Sequence, residues 1–355
     1  MPLVMSLFNL VNKPESKEKV LVVYTGGTLG MRFDLDDEAL VPMHHPDLLS
    51  YLPELKLMNT SIDFVSFDEA IDSSNVTPEH WIEWAKLIEK EYENYTGFLF
   101  LHGTDTMAYS ASALSFMLLG LSKPVVFTGA QLPLGSLRND AKRNILSSLE
   151  LLLAKRIDGS SMIQEVTIYF NDVLLRGNRA KKIESSDFDA FESKNYPVLA
   201  RTGVTIDFDQ NALWENADLE FNTKLNLNPS EVGSLKLYPG LTVSDLDNLF
   251  DFSKKKIIVL ETFGSGNAPT SEPFLQKIAS YINEGGVVLN VSQCAGGKVL
   301  SGKYGTNLQL AELGVLDGKD LTFEAAVTKA MFVLGNYLDC VIENMKENIS
   351  GEMSF

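Results

Sequence analysis

The chain has 355 residues, of which 45% are hydrophobic and 22% charged, a composition typical of a soluble globular protein. Its net charge of −17 disfavours nucleic acids and anionic membrane surfaces as partners, because both would be repelled. The two cysteines, Cys294 and Cys340, provide neither a disulfide framework nor a metal-binding pattern, so we expect a reducing, cytoplasmic location.

The first 18 residues contain an apolar stretch without a preceding basic segment or a small-residue cleavage site. We therefore expect a loose N-terminal extension before the first strand, and not a signal peptide. No apolar run approaches the roughly 18 residues that a membrane-spanning helix requires, so we expect no membrane partner.

Apolar runs of strand length alternate with helical patterns through most of the chain, which predicts a parallel α/β fold. The predicted strands are Val20–Tyr24, Phe98–Leu101, Val125–Thr128, Val166–Phe170, Ile257–Glu261 and Val287–Val291. One helix is well marked by Thr77 as its N-cap and Pro78 at its first position. Its apolar residues share one face: Trp81, Trp84, Ala85 and Ile88.

The length of the chain favours two domains of about 150–200 residues each. Between residues 203 and 232 the alternating pattern decays into polar, Asn-rich sequence. We predict an N-terminal domain over 19–215, a linker over 216–232 and a C-terminal domain over 233–355.

The first predicted strand ends in the turn Thr25-Gly26-Gly27-Thr28-Leu29-Gly30. Two adjacent glycines allow the backbone to turn sharply and let a ligand approach main-chain N–H groups. The turn matches neither GxGxxG nor the Gly-Lys-Ser/Thr phosphate loop, so a nucleotide site is disfavoured. Thr28 is then either a cap of the turn or a hydroxyl that takes part in chemistry.

A second turn, His102-Gly103-Thr104-Asp105-Thr106, follows the buried run Phe98–Leu101. The apolar residues after it recur at helical spacing: Met107, Ala111, Leu114, Leu118 and Leu121. The turn therefore joins a strand to a helix, at the end of the strand where open parallel sheets bind ligands. Two strand ends would each offer a hydroxyl, from Thr28 and Thr104.

A hydroxyl nucleophile needs a base to take its proton. Lys182 is a candidate, because it lies in the polar stretch RGNRAKKIESSDFDAF over residues 176–191. A lysine can act as a base only when desolvation or nearby cations lower its pKa. The cluster that could have this effect is Arg176, Arg179, Lys181 and Lys182 itself. The alternative interpretation is a solvated basic loop.

These side chains favour acyl transfer without a metal or another cofactor. None of the four histidines has the cysteine or carboxylate spacing of a metal site. One hydroxyl would attack a carbonyl, an acyl-enzyme would form, and water would release it. Backbone N–H groups at a glycine-rich turn would stabilise the oxyanion, each contributing about 10²–10³ in rate. Asp105 would bind a cationic group of the substrate.

Motifs occur in a characteristic order along the chain. They are TGGTLGM at 25–31, IDSSNVTPEHW at 71–81, LHGTDTMAYSASALSFML at 101–118, FTGAQLP at 127–133, RGNRAKK with DAF within 176–191, GSGNAP at 264–269 and SQCAGGKV at 292–299. Together they resemble the bacterial type I (cytoplasmic) L-asparaginases over about residues 19–350. The resemblance implies hydrolysis of L-asparagine by a homodimer or homotetramer. It also implies a flavodoxin-like larger N-terminal domain and a smaller, Rossmann-like C-terminal domain.

The resemblance implies a role for each matching residue. Thr28 matches the nucleophile that forms the acyl-enzyme, and Lys182 and Asp105 match the residues that tune Thr104 and its water. Asp105 also matches the acid that binds the α-amino group of the substrate. The remaining substrate contacts fall on Asp72, Ser73 and Ser74 for the α-carboxylate and on Ala130 for the leaving amide.

The chain departs from the family pattern in two places. Leu40 stands where most members carry a catalytic tyrosine, so water or another tyrosine would have to substitute. Cys294 and Glu324 match positions of an asparagine effector site found in some type I enzymes. There Glu261 replaces an arginine and Lys181 a threonine, which either exchanges the partners of an ion pair or abolishes the site. We expect weak or absent activation by asparagine.

Other functions stay open from the sequence. A glutaminase-asparaginase differs by one methylene of substrate, which changes binding by only about 1–3 kcal/mol. The amidohydrolase subunit of a tRNA-dependent amidotransferase is disfavoured, because residues 1–18 leave no room for its extra domain. A non-catalytic amino-acid sensor would have no use for two hydroxyls and a base. A dinucleotide-binding protein is disfavoured because the first turn lacks the third glycine of that motif.

Overall fold

The computed structural model describes residues 5–34, 39–42, 49–67, 70–215, 219–300 and 305–354, with 32–34, 39–42 and 305–307 as backbone only. The chain forms two compact units. The first comprises Met1–Ser193 and Pro197–Leu225, and the second comprises Lys194–Tyr196 and Asn226–Phe355. The change of unit after Leu225 falls within the polar segment from which we predicted a linker.

Within the described ranges, the strands of the first unit are β1 Met5–Val11, β2 Lys19–Tyr24, β3 Met31–Asp34, β4 Ala39–Pro42, β5 Ser61–Phe67, β6 Gly97–Leu101, β7 Leu118–Leu119, β8 Val125–Thr128, β9 Val166–Phe170, β10 Val173–Arg176, β11 Lys181–Lys182, β12 Phe191–Glu192, β13 Ala200–Thr202, β14 Ile206–Phe208 and β15 Asn222–Thr223. Its helices are α1 Pro78–Glu91, α2 Met107–Met117 and α3 Ala141–Leu153. The second unit contains β16 Val232–Lys236, β17 Ile257–Thr262, β18 Val287–Ser292, β19 Leu316–Asp317, α4 Glu272–Asn283, α5 Gly305–Glu312, α6 Phe323–Asn336 and α7 Val341–Lys346.

The main sheet of the first unit has the strand order β1-β5-β2-β6-β8-β9-β10-β13-β14. Its five central strands, β5, β2, β6, β8 and β9, are parallel, and the strands outside them pair antiparallel. Numbered by their order in the chain, these five run 2-1-3-4-5, the flavodoxin-like order. The second unit has a separate, all-parallel sheet in the order β16-β17-β18-β19. The predicted two-domain α/β class is confirmed.

All six predicted strands are present, and burial explains why they could be recognised. A strand that is covered on both faces by helices reads as a continuous apolar run rather than as an alternating one. Every residue of β6 and of β8 is buried, as is every residue of β17.

The predicted helix at Thr77 is α1, and its start follows the sequence signals. Thr77 and His80 form a capping box, with Pro78 in the first turn. The apolar face predicted for this helix is buried: Trp81, Trp84, Ala85 and Ile88.

Two predictions about element boundaries are wrong. Residues 5–11 are not a loose extension, because they form β1 and pair antiparallel with β5 at the edge of the sheet. The helix after the second turn ends at Met117 instead of continuing to Leu121. Leu118 and Leu119 pair as β7 with β15, and Gly120 then takes a left-handed φ of 67°, which a helix cannot continue through.

No single helix in the described ranges is long and apolar enough to cross a membrane. The consecutive helical segments Phe323–Asn336 and Leu338–Lys346 reach the required length and composition only together, and they are bent by 116°.

The second unit ties its C-terminal residues to α6 through a buried ion pair. Lys329 Nζ lies 2.7 Å from Glu352 Oε1, and both side chains are 0% exposed. The Glu352 carboxylate also accepts hydrogen bonds from the backbone N–H groups of Ile349 (3.0 Å) and Ser350 (2.8 Å). Lys329 donates a further hydrogen bond to the Glu347 carbonyl. Both charges are thus paired and hydrogen-bonded, which burial demands.

We predict that Lys329→Met destabilises the second unit by about 3–5 kcal/mol, because Glu352 is left charged, buried and unpaired. Urea unfolding measures the loss. The control is Lys254→Met, which removes the exposed partner of Asp251 and should cost about 1 kcal/mol or less. Equal losses in the two variants would contradict the role assigned to the buried pair.

Candidate active site

The two threonine-bearing turns follow neighbouring strands of the main sheet. Thr28 lies four residues after the end of β2, and Thr104 lies three residues after the end of β6. In the order β5-β2-β6-β8, the chain moves from β2 outward to β5 and then crosses back to β6. The crevice between β2 and β6 is therefore the topological switch point, where open α/β sheets bind their ligands.

Backbone contact brings these two turns together. Gly26 and Gly27 have φ angles of 133° and 88°, which side chains on L-residues rarely allow. A Cβ atom on Gly27 would stand 2.5 Å from the Cα and N atoms of Gly103. Each glycine immediately precedes a threonine, so the contact brings the two threonine-bearing turns together. The backbone N–H of Thr25 also donates to the Leu101 carbonyl at 3.0 Å.

A third turn, Ser73–Asn75, packs against the second one. A Cβ atom on Gly103 would stand 2.6 Å from Ser73 Oγ, and the Thr106 hydroxyl donates to the Ser73 carbonyl at 2.6 Å. Asp72 caps this turn by accepting from the backbone N–H (2.9 Å) and the hydroxyl (2.8 Å) of Ser74. These hydrogen bonds lower the pKa of Asp72, so its carboxylate stays charged. Ser73 is buried, whereas Asp72 and Ser74 are exposed.

Lys182 reaches the second turn from the β11–β12 hairpin, in which it pairs with Phe191. Its Nζ atom lies 2.8 Å from Thr104 Oγ1 and 2.5 Å from Asp105 Oδ1. The Lys182 side chain is 17% exposed and that of Asp105 is 63% exposed. A hydroxyl, an amine and a carboxylate thus form one hydrogen-bonded group that a solvent-borne ligand can reach.

Arg176, one of the cations predicted to lower the pKa of Lys182, is paired with a carboxylate. Its guanidinium lies 2.6 Å from Glu165 Oε2, with both side chains buried, and it donates to the Ala212 carbonyl at 2.8 Å. Arg179 is also buried, in the turn after β10. The charged side chain in contact with Lys182 is the carboxylate of Asp105.

His102 is a buried support of the second turn. Its Nδ1 atom lies 2.6 Å from the Gly103 carbonyl, which can only accept, so Nδ1 carries the proton. Its Nε2 atom then accepts from the Ser110 hydroxyl at 2.9 Å, and Ser110 accepts from the Trp81 indole N–H at 2.9 Å. Burial lowers the pKa of His102 to about 4, so the ring is neutral near pH 7.

The segment after β8 forms another side of the candidate site. Ala130 is buried, two residues after β8. A Cβ atom on the preceding Gly129 would stand 2.5 Å from the His102 carbonyl oxygen and 3.4 Å from the Thr104 methyl group. The segment predicted to contact the leaving amide therefore lies beside the second turn.

Three of the positions predicted for an effector site, Glu261, Cys294 and Glu324, lie in the second unit, whereas Lys181 lies in β11 of the first unit. Glu261 is buried in β17, in register with Lys236 of β16 and Val291 of β18. Cys294 is exposed just after β18, and Glu324 is buried in the first turn of α6. Leu40, at the position of the family tyrosine, belongs to β4, whose backbone alone is described.

Sequence reasoning missed Tyr24, at the end of β2. Its hydroxyl is buried without a hydrogen-bond partner in the described part of the chain. Within a run of valines it is read as one more apolar strand residue, and its position four residues before Thr28 was the available signal.

In the part of the chain that the structure describes, no group of three or more His, Cys, Asp or Glu side chains could hold a metal ion.

Comparison with known proteins finds similarity along both units. A family model described as "Asparaginase, N-terminal" matches residues 19–214, and one described as "Glutaminase/Asparaginase C-terminal domain" matches residues 231–342. L-asparaginase 1 of Escherichia coli strain K12 is 38% identical over 342 residues, which cover 95% of this chain and 98% of that protein.

Solved structures agree with this similarity. L-asparaginase I from Vibrio cholerae has a TM-score of 0.85 and 35% identity, covering 96% of this chain and 100% of its own. The thermostable L-asparaginase from Thermococcus kodakarensis has a TM-score of 0.85 and 29% identity, covering 95% of this chain and 99% of its own.

The neutral His102 generates a prediction about pH. Between its unfolded pKa of about 6.5 and its folded pKa of about 4, only the unfolded state binds the proton. Stability should therefore fall as the pH is lowered from 6.5 to 4, by about 3 kcal/mol from this group.

Urea unfolding of the wild type and of His102→Gln over this range gives the contribution as the difference between the two pH dependences. The His102 ring resonances in NMR provide a second measurement and should not titrate above about pH 5. Titration near pH 6.5 in the folded protein would contradict the assignment.

Proposed function

The chain belongs to the asparaginase family, and from that premise we propose that it hydrolyses L-asparagine to L-aspartate and ammonia through an acyl-enzyme on Thr28. Membership makes the protein an amidohydrolase. The observation that carries the proposal is the contact of Lys182 with Thr104 and Asp105 at the switch point, next to the turn that holds Thr28.

In the first half-reaction, Thr28 Oγ attacks the side-chain amide carbon of asparagine. The hydroxyl proton passes to the leaving nitrogen, the C–N bond breaks, and ammonia departs from an aspartyl ester on Thr28. Backbone N–H groups of the glycine-rich turns are suited to stabilise the oxyanion that develops at the carbonyl oxygen. The rigid contact between Gly27 and Gly103 supports this step, because it fixes the nucleophile's turn.

In the second half-reaction, water attacks the ester and restores the Thr28 hydroxyl. We assign the activation of this water to Thr104, Lys182 and Asp105. Thr104 can take a proton from water while passing its own to Lys182 in its free-amine form, and the same chain returns a proton to Thr28 Oγ when the ester C–O bond breaks. Asp105 Oδ1, 2.5 Å from Lys182 Nζ, holds the amine in place. Proton transfer along positioned groups contributes about 10²–10⁴ in rate.

Substrate binding is assigned to the polar groups around this centre. The exposed Asp105 carboxylate has a second oxygen that can bind the α-ammonium group, the cation expected of an amino-acid substrate. The Ser73–Asn75 turn would bind the α-carboxylate through Ser73 and Ser74, oriented by the capping contacts of Asp72. Ala130 would contact the leaving amide.

We also propose the features that the resemblance implies beyond the reaction. The N-terminal domain, 19–215, would contain most of the active site, and the enzyme would act in the cytoplasm as a homodimer or homotetramer without a cofactor. A mixed glutaminase-asparaginase is the alternative within the class, and a non-catalytic amino-acid sensor is the alternative outside it. Release of ammonia from L-asparagine separates the sensor from both enzymes.

We predict that wild-type protein releases ammonia from L-asparagine despite Leu40, and that Thr28→Ala lowers kcat by about 10³-fold or more. Lys182→Met should lower kcat by about 10²–10⁴-fold. Coupled ammonia assays with L-asparagine, D-asparagine and L-glutamine measure turnover and preference.

Lys181→Met is the matched control, because neighbouring residues of β11 point to opposite faces, and most of the activity should remain. Hydroxylamine added to the wild-type reaction should yield aspartyl hydroxamate if an acyl-enzyme forms. Wild-type turnover no higher than that of Thr28→Ala would refute the proposed function.

For the effector site, we predict a hyperbolic dependence of the rate on asparagine concentration. Glu261 places a carboxylate where the resemblance implies an arginine, so an anionic group of an asparagine effector at that position would be repelled. Initial rates measured from well below to well above KM test this. A clearly sigmoidal curve would show that the site still works with Glu261.

A further inference from the structure

Tyr24 has an unusual environment for a tyrosine in a sheet. It is the last residue of β2, the residue is 8% exposed, and its hydroxyl has no hydrogen-bond partner within the described part of the chain. Buried polar side-chain atoms are hydrogen-bonded in the large majority of cases, so an unpaired one requires an explanation. A catalytic role is one of the recognised explanations.

The phenol head group lies against the turn that holds Thr28. A Cβ atom on Gly30, the last residue of the Thr28–Gly30 turn, would stand 2.5 Å from the Tyr24 hydroxyl oxygen and would overlap the ring carbons beside it. The ring stacks on Phe64 of β5, with centroids 6.3 Å apart. The ring is therefore a packing element of the core, and the hydroxyl is aimed at the candidate nucleophile's turn.

Packing alone does not account for the hydroxyl. A phenylalanine would fill the same space and stack on Phe64 without burying an unpaired polar atom, which is costly. Burial also raises the pKa of Tyr24 to about 12, so the phenol keeps its proton and can only donate or accept a hydrogen bond as O–H.

We propose that Tyr24 is a positioning residue for Thr28: its hydroxyl donates a hydrogen bond to the Thr28–Gly30 turn when substrate fills the site, and so holds Thr28 Oγ in line with the amide carbon. This inference rests on the proposed function. No proton leaves Tyr24 at any step. Leu40 has no group that could serve in this way, whereas the Tyr24 hydroxyl lies against the turn.

The test is Tyr24→Phe, with Tyr95→Phe as the matched control. Tyr95 belongs to the same unit and is equally buried, but its hydroxyl is paired with Asp63 Oδ2 at 2.6 Å, and it precedes β6 at the end opposite the Thr104 turn. Tyr24→Phe should lower kcat about tenfold, the value of one hydrogen bond, with KM changed less than twofold. The tenfold decrease in kcat should be the same from pH 6 to pH 9, and the midpoint of urea unfolding should be unchanged or higher.

Tyr95→Phe should show the reverse pattern, with a lower urea midpoint and an unchanged kcat. The positioning role is overturned if Tyr24→Phe has the wild-type kcat, or if it loses activity and stability together as a packing defect would. A wild-type protein that releases no ammonia from L-asparagine defeats the proposed function itself. An active wild type with a fully active Tyr24→Phe defeats only the role of Tyr24.

Discussion

The architecture of the candidate site depends on a contact that leaves no room for side chains. Gly27 and Gly103 touch through their backbones, and a Cβ atom on Gly26 would overlap the main chain of Ile71. The φ angles of Gly26 and Gly27 add a second constraint, because other residues would be strained there even without the contact. The turns after β2, β5 and β6 can therefore converge only with glycine at these positions.

The candidate catalytic threonines follow these glycines along the chain. Thr28 follows Gly27 and Thr104 follows Gly103, so the glycine contact fixes the backbone of both turns, and Lys182 holds the Thr104 hydroxyl. The neutral His102 stabilises the second turn by donating a hydrogen bond to the Gly103 carbonyl. Lys182 arrives from 78 residues further along the chain, so the site also needs the hairpin β11–β12 in place.

Much of this could be predicted from the sequence where the signal is local. The central strands were recognisable as apolar runs, α1 by its cap and first-turn proline, and the two turns by their glycines and threonines. The errors arose where contacts with residues distant in the sequence determine the structure. Arg176 is positioned by Glu165 and the Ala212 carbonyl. Helix α2 ends because the residues after it pair with β15, and residues 5–11 form a strand because they pair with the edge of β5. Tyr24 was missed because only the structure shows that its hydroxyl is unpaired.

Two lysine–carboxylate pairs in this chain show how burial separates a structural contact from a chemical one. Lys329 and Glu352 are 2.7 Å apart and fully buried, and both Glu352 oxygens also accept backbone N–H groups. Such a pair holds the C-terminal residues and has no capacity for a ligand. Lys182 and Asp105 are 2.5 Å apart, yet Asp105 is largely exposed and Lys182 shares its amine with Thr104. Because neither group is enclosed by a full set of hydrogen-bond partners, this pair, unlike the buried one, is open to a ligand from solvent, as the proposed amidohydrolase site requires.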